Sequence, residues 1–148
     1  MQETEGLDVD LTYVPNSRLS VLFSYSNIWS SKTTRSESQP QQVGRRLDNT
    51  PEHKASYWMK YTFLGSEAKG PFIGGGLRYR GEIFAHPSWE QSITDKGRIF
   101  VDFLAGFKRN NFTVALNVQN ATDVSDYLDG QITWGEGRRF ILSVRFDL

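Results

Sequence analysis

Period-two alternation of apolar and polar residues runs through almost the whole chain and constrains its fold more than any other feature. Within residues 5–14, apolar side chains occupy positions 7, 9, 11 and 13, and aspartate or threonine separates them. Successive side chains point to opposite faces of a β-strand, whereas a helix repeats about every 3.6 residues. The alternation therefore predicts an all-β fold whose strands each have one apolar face and one polar face.

The alternation falls into separate segments of similar length. They span residues 5–14, 19–29, 53–64, 70–84, 98–108, 112–121 and 138–148. Each segment is about ten residues long, which is the length that a tilted strand needs to cross a bilayer. The segments therefore predict about seven long strands.

The connections between segments alternate between short turns and long loops. The long loops span approximately residues 30–52, 85–97 and 122–137. Consecutive connections of an antiparallel meander lie at opposite ends, so all the long loops fall at one end of the sheet. Outer-membrane barrels have this asymmetry, with short periplasmic turns and long extracellular loops. The pattern predicts an antiparallel meander of about seven long strands that forms part of a transmembrane β-barrel.

The low mean hydropathy of −0.49 is compatible with this interpretation. A membrane barrel places apolar residues at every second position only, so its mean hydropathy stays low. The alternative is a soluble all-β ligand-binding module, in which the apolar face forms an internal core. Aromatic residues near segment ends, such as Trp29, Phe63 and Phe107, fit either the aromatic girdles of a membrane barrel or the edges of a soluble core. Together with the separation of short turns from long loops, they favour the membrane.

Charge and residue types argue against several other classes of protein. The chain has 17 basic and 17 acidic residues, whereas a nucleic-acid-binding protein needs a basic excess. It has no cysteine, and its two histidines, His53 and His86, are far apart in sequence. No spacing suggests a catalytic or metal-binding cluster, so we predict no enzyme activity, no metal and no cofactor. Residues 1–10 lack the basic and apolar regions of a signal peptide.

Three consecutive glycines at residues 74–76 interrupt the fourth segment. They do not form a dinucleotide-binding motif, because Tyr79 occupies the position of the last required glycine and no helix pattern follows. Alternation places Gly75 on the apolar face and Gly74 and Gly76 on the polar face. Small residues relieve bending in a curved sheet, so the sequence predicts a point of curvature in a barrel wall.

Four arginines are predicted on the polar face: Arg78, Arg80, Arg139 and Arg145. They could attract an anionic ligand through the field of a cleft. They could also line a lumen in ion pairs with aspartates, for which the candidates are Asp8, Asp10, Asp102 and Asp147. We expect the paired lining, because charges in a channel are normally paired.

Four stretches, in chain order, resemble one known family. Residues 47–63 contain Asn-x-Pro-x-His followed by an alternating aromatic strand, and residues 72–82 form a glycine-rich strand. Residues 101–127 are similar to a final hairpin with an asparagine-rich signature, and residues 137–148 to a terminal strand. The signature residues are Asn117, Asn120, Asp123 and Tyr127. Together these stretches resemble the C-terminal barrel wall of TonB-dependent outer-membrane receptors of the ferric-siderophore type.

The resemblance implies that residues 1–148 are the C-terminal part of a receptor barrel of about 22 strands, without its plug domain. The complete receptor would bind a ferric siderophore or similar chelate and import it across the cell outer membrane. The implied partners are this chelate, outer-membrane lipid and the energy-transducing TonB protein, which would act through the missing plug. No nucleic acid is expected.

Ligand recognition by such a receptor is expected in the long loops. Trp89, Tyr127 and Trp134 are aromatic residues of the second and third loops. Their rings would stack on a catecholate or hydroxamate ligand, or they would pack the loops against each other. These three residues are the predicted ligand-binding residues, and no catalytic residue is predicted.

Overall fold

The computed structural model describes residues 1–38, 40–63, 69–85, 93–125, 127–128, 133–134 and 137–147. Apart from a 3₁₀ turn at Pro40–Gln42, the regular elements of these residues are β-strands. They are β1 (Gln2–Asn16), β2 (Leu19–Thr33), β3 (His53–Thr62), β4 (Gly70–Arg80), β5 (Ile83–Ala85), β6 (Ile93–Asp95), β7 (Arg98–Arg109), β8 (Phe112–Gln119), β9 (Tyr127–Leu128), β10 (Thr133–Trp134) and β11 (Arg139–Phe146). Within the described residues, no helix has the length and apolar character needed to span a membrane.

The long strands form one antiparallel sheet in the order β1-β2-β3-β4-β7-β8-β11. Each long strand pairs with the next long strand along the chain, which is a meander. The remaining strands form two hairpins outside this sheet: β5–β6 in the connection between β4 and β7, and β9–β10 in the connection between β8 and β11. The predicted all-β meander of seven strands is therefore confirmed.

The register of the sheet places the apolar residues of neighbouring strands on the same side, which we call the outer face. One row of paired residues crosses all seven strands: Tyr13, Val21, Met59, Gly75, Phe103, Val118 and Phe140. The alternating residues between these positions form the opposite side, which we call the inner face. Because pairing joins apolar to apolar positions in every strand, the outer face is one continuous apolar surface.

The outer face is not covered by other parts of the described chain. Phe23, Tyr57 and Leu142 expose 37%, 40% and 69% of their surface. Hydrophobic side chains are buried at only three described positions, Phe72, Ile83 and Phe100. A soluble β-domain would bury its apolar face in a core, whereas large exposed apolar surfaces mark contact with lipid or with a partner. The exposed outer face therefore favours the membrane interpretation over the soluble alternative.

Asparagines shape two of the short turns. Asn16 Oδ1 accepts hydrogen bonds from the amides of Arg18 and Leu19, at 2.9 and 3.1 Å. Asn110, between β7 and β8, has a φ of 49°, in the left-handed region that asparagine tolerates better than most residues. β3 also ends and β4 begins at this end of the sheet, so the short and the long connections leave from opposite ends as predicted.

One predicted strand is divided in the structure. Residues 70–84 were expected to form a single strand, but β4 ends at Arg80 and Ile83 belongs to the β5–β6 hairpin. The amide of Gly81 donates to His53 O at 2.7 Å, and a Cβ at this glycine would lie 2.9 Å from the same oxygen. The chain leaves the main sheet here, so Ile83 is buried instead of lying on the outer face.

Candidate functional site

The inner-face glycines accommodate the indole ring of Trp58. Trp58 pairs with Gly76 across strands β3 and β4. A Cβ at Gly76 would overlap Cε3 of the indole and lie 2.6 Å from Tyr57 O. A Cβ at Gly75 would have only ordinary contacts, the nearest at 3.5 Å. The glycine run therefore has a specific role on the inner face, whereas the curvature that the sequence suggested stays a prediction.

A second aromatic ring lies over a glycine farther along the inner face. Phe72 is buried to 6% exposure, and a Cβ at Gly106 would overlap its Cζ atom. Nζ of Lys60 lies 4.5 Å from the centre of the Phe72 ring, which is a cation–π geometry. The inner face is thus lined by aromatic rings and charged groups in close contact, and not by polar side chains alone.

Arg78 and Asp102 form a two-point ion pair on the inner face, toward the long-loop end of β4 and β7. Nε and Nη2 of Arg78 donate to Asp102 Oδ2 and Oδ1 at 2.7 and 3.0 Å. The guanidinium also lies 5.3 Å from the ring centre of Phe100. Asp102 is buried, and it accepts a further hydrogen bond from the Asn120 amide at 2.8 Å. The predicted pairing of Arg78 with an aspartate is confirmed.

The other predicted arginines have different partners. Asp95, in β6, accepts hydrogen bonds from both Arg80 and Arg98. Arg145 pairs with Asp147 at 2.6 Å, as expected. Arg139 donates to Gln119 Oε1 at 3.1 Å. Asp10 accepts from the hydroxyl of Ser24 at 2.6 Å. All four predicted arginines therefore have a hydrogen-bonding partner. Arg78 and Arg145 pair with aspartates that were predicted, whereas the partners of Arg80 and Arg139 were not predicted.

The first long loop folds back on the end of β2. The amides of Thr33 and Leu47 donate to Arg45 O and Ser31 O, at 3.0 and 3.1 Å. The amide of Ile28 donates to Glu52 O at 2.8 Å. Buried backbone groups need hydrogen-bond partners, and the loop supplies them to a strand end that extends beyond β3. The described part of this loop is therefore attached to the sheet.

The first long loop contacts the β5–β6 hairpin at Phe84. The amide of Asn49 donates to Phe84 O at 2.9 Å, and the guanidinium of Arg46 lies 5.2 Å from the Phe84 ring centre. Nη1 of Arg46 also pairs with Glu52 Oε1 at 2.7 Å. These contacts join residues far apart in sequence, so no local pattern could have identified them. They attach the described part of the first long loop to strand β5 at one end of the sheet.

Asn120 closes the base of the third long loop. Its side chain bonds to Val124 twice, because Oδ1 accepts from the Val124 amide and Nδ2 donates to Val124 O, both at 2.9 Å. Its φ is 50°, in the left-handed region. Oδ1 of Asp123 accepts from the Arg138 amide at 2.7 Å, which joins the two ends of the loop. Two of the signature residues therefore have a structural role.

Two of the three predicted ligand-binding residues lie in the hairpin of the third long loop. Tyr127 and Trp134 are partners in the β9–β10 hairpin. Trp89 lies outside the described residues. The described residues contain no group of three or more histidine, cysteine, aspartate or glutamate side chains that could hold a metal ion. The structure thus brings two of the three predicted residues together in one hairpin.

Comparisons with known proteins agree with this architecture. Residues 1–121 match the family model described as TonB dependent receptor-like, beta-barrel. A search of curated proteins finds no match. Similar solved structures include the siderophore receptor PiuA from Acinetobacter baumannii, with a TM-score of 0.77 and 20% identity. The ferric-catecholate import receptor Fiu from E. coli K12 has a TM-score of 0.75 and 21% identity.

The ferripyoverdine receptor of Pseudomonas aeruginosa is also similar, with a TM-score of 0.76 and 19% identity. These alignments cover 98%, 98% and 99% of this chain but only 22%, 21% and 20% of the three receptors. The chain therefore spans about a fifth of the length of these solved structures, and the likeness shows a shared fold. The match of the family model shows that the chain belongs to the TonB-dependent receptor family of outer-membrane β-barrels.

Proposed function

We propose that the complete protein imports a ferric siderophore, or a similar iron chelate, across the outer membrane. The observation that carries the proposal is the sheet itself, which combines an exposed apolar outer face with an inner face of paired charges. The same fold occurs in a siderophore receptor and in a ferric-catecholate import receptor. In this proposal the seven strands form part of the barrel wall, and the long loops face the outside of the cell.

We place residues 1–148 in the C-terminal part of the barrel, on the basis of the resemblance of residues 101–127 and 137–148 to its final strands. The remaining strands, a plug domain and the contact with TonB would then belong to other parts of the polypeptide. Import needs all these parts, because a sheet of seven strands has open edges and encloses no channel. The protein would bind and move its cargo without changing covalent bonds, so the proposal includes no enzyme activity.

Trp89, Tyr127 and Trp134 are proposed to contact the chelate. Aromatic faces stack well on the flat rings of catecholates, and loops at one end of a rigid wall are the usual location of binding residues. The pairing of Tyr127 with Trp134 supports a shared role for these two residues. The attachment of the first loop to the second supports a common binding surface at this end of the sheet.

The proposal is tested with the complete protein in outer membranes of a strain that lacks other siderophore receptors. Uptake of radioactive iron is measured with a ferric catecholate and with a ferric hydroxamate, each with and without an active TonB system. We expect energy-dependent uptake of at least one chelate. If neither chelate is bound or imported, the proposed function is wrong.

The proposed contact residues are tested by replacing Tyr127 or Trp134 with alanine. Loss of one stacked ring removes about 1 kcal/mol of binding free energy, which weakens affinity roughly fivefold. Trp29→Ala is the matched control, because Trp29 is an exposed aromatic residue of strand β2. Normal affinity in both loop variants, together with normal uptake by the unaltered protein, would contradict the residue assignment alone.

A further inference from the structure

Three lysines on the inner face differ from the arginines of that face in their partners. Lys54 and Lys60 belong to β3, and Lys108 belongs to β7. Within the residues that the structure describes, none of the three forms an ion pair with a carboxylate. The inner-face arginines that do pair with aspartates are Arg78, Arg80, Arg98 and Arg145. Charges in a channel are normally paired, so three unpaired ammonium groups favour a partner that is present only part of the time.

The three lysines lie at different heights along the wall. Lys54 is at the long-loop end of β3, and Lys60 lies six residues nearer the short-turn end. Lys60 pairs with Gly74, whereas Lys108 pairs with Gly70, four residues nearer the short-turn end of β4. At about 3.3 Å per residue, the two steps measure about 20 and 13 Å along the strands. We call this series, Lys54, Lys60 and Lys108, the lysine ladder.

Aromatic side chains lie between the steps of the lysine ladder. Trp58 lies between Lys54 and Lys60 on the same strand and face, over Gly76. It is half-buried, so part of its ring remains available on the inner face. Phe72 is buried, and Nζ of Lys60 lies 4.5 Å from the centre of its ring. Apolar rings beside an ammonium group lower the local dielectric and strengthen its attraction for an anion.

Two of the three lysines line a cleft at the short-turn end of the inner face. The cleft has a volume of about 230 Å³ and is lined by Lys60, Phe72, Lys108, Thr113, Arg145 and Asp147. Asp147 is the one carboxylate among these lining residues, and it pairs with Arg145. The lysines therefore give the cleft an excess of positive charge. Sites for drug-sized ligands have roughly 300–1,000 Å³, so this smaller volume suits one anionic ring of a chelate.

We propose that the lysine ladder guides anionic ferric chelates along this wall, from the long-loop end to the short-turn end of the lumen. The inference rests on the proposed function and specifies its cargo as a chelate of net negative charge, such as a ferric tricatecholate. Each ammonium group donates charge-assisted hydrogen bonds to the chelate in turn, and several weak sites in series let the cargo leave as well as enter. Trp58 offers a flat face to one ring of the chelate between the first two steps.

Lysine fits this role because its ammonium is a hydrated point charge on a flexible stem. Arginine holds a carboxylate in a fixed two-point geometry, as Arg78 holds Asp102. A lysine can therefore exchange one partner for another as the cargo passes, whereas the paired arginines keep theirs. The proposed roles of Tyr127 and Trp134 concern binding at the loops, and the lysine ladder concerns the step that follows.

The inference is tested with the complete protein in outer membranes of a strain that lacks other siderophore receptors. Uptake of radioactive iron is compared for an anionic ferric tricatecholate and an uncharged ferric trihydroxamate, per receptor in the membrane. In a variant with both Lys60→Gln and Lys108→Gln, we expect tricatecholate uptake to fall roughly tenfold, since two charge-assisted contacts are lost. Its affinity at the cell surface and the uptake of the trihydroxamate should stay unchanged.

Two further variants separate charge from structure. A variant with both Lys60→Arg and Lys108→Arg keeps the charges and should keep tricatecholate uptake. Lys32→Gln removes an exposed lysine of β2 that pairs in register with Glu3, away from the ladder, and should change neither uptake.

Normal tricatecholate uptake by the double glutamine variant, equal loss of both chelates, or equal loss in the arginine variant would overturn the inference. Import of the trihydroxamate alone by the unaltered protein would overturn it as well. In each of these cases import by the unaltered protein leaves the proposed function standing. If the unaltered protein imports neither chelate, the proposed function is wrong and this inference fails with it.

Discussion

The outer and inner faces of the same seven strands are specified in different ways. On the outer face, rows of apolar residues continue from strand to strand, and their side chains remain exposed. On the inner face, individual pairs fit each other, such as Trp58 with Gly76 and Arg78 with Asp102. A membrane-facing surface therefore needs only an apolar residue at every second position, whereas a lumen surface depends on specific pairs of contacting side chains.

The largest effect is expected from a charge on the outer face. Leu142, in the middle of β11, is 69% exposed on this face. Leu142→Arg should destabilise the folded barrel by about 2–4 kcal/mol, because an arginine would face the hydrocarbon core of the bilayer. The free energy of unfolding of the complete protein in lipid vesicles, measured by denaturant titration, checks this value.

Ser143→Arg is the control for this prediction, since Ser143 is the next residue and lies on the inner face. It should change the stability by less than about 1 kcal/mol, as expected for a charge in a polar lumen. Equal destabilisation by the two variants would mean that the two faces do not differ in their surroundings, and the assignment of the outer face to lipid would be wrong.

A smaller effect is expected from one methyl group on the inner face. Gly76→Ala should cost about 1–3 kcal/mol, because its Cβ overlaps the Trp58 ring and approaches the backbone oxygen of Tyr57. Gly75→Ala should be neutral or should stabilise by up to about 1 kcal/mol, because alanine has less conformational freedom than glycine to lose on folding. Denaturant titration of both variants checks the difference. If the order of stabilities were reversed, the role of Gly76 beside Trp58 would be excluded.

The smallest effect is expected from removing the charge of an inner-face carboxylate. Asp102→Asn should lower the free energy of unfolding by about 1–2 kcal/mol, because Asp102 is buried and accepts hydrogen bonds from both Arg78 and the Asn120 amide. The value stays modest because the Arg78 side chain is 53% exposed. Asp147→Asn should cost about 0–1 kcal/mol, since its pair with Arg145 is largely exposed. Equal losses in the two variants would show that burial of Asp102 adds nothing to its contribution.

The sequence was sufficient to predict the sheet, because strand periodicity is a local signal. The alternation identified the seven long strands, the two faces and the separation of short turns from long loops. It failed at Ile83, which continues the apolar pattern of β4 in sequence although the chain leaves the sheet at Gly81. A local pattern cannot show where a strand loses its partner, since pairing depends on residues elsewhere in the chain.

The candidate site was less predictable than the sheet. Trp58 was overlooked because it is a large apolar residue at a position where alternation expects a polar one, and its partner Gly76 lies in another strand. The contact of Arg46 with Phe84 depends on the path of the chain through two long connections, and sequence periodicity does not predict that path. The proposed roles of Trp89, Tyr127 and Trp134 remain predictions.

The unequal lengths of the strands have a consequence for the mouth of the closed barrel. Strands β1 and β2 have 15 residues each, whereas β8 and β11 have 8 each. Seven additional residues extend a strand by about 23 Å, or about 18 Å in height at a tilt of roughly 40°. β1 and β2 are joined by a short turn, so their additional length lies at the long-loop end, which is on the outside of the cell in the proposed orientation. This part of the wall is therefore taller at β1 and β2 than at β8 and β11, so an antibody that approaches it from outside the cell should reach β1 and β2 first.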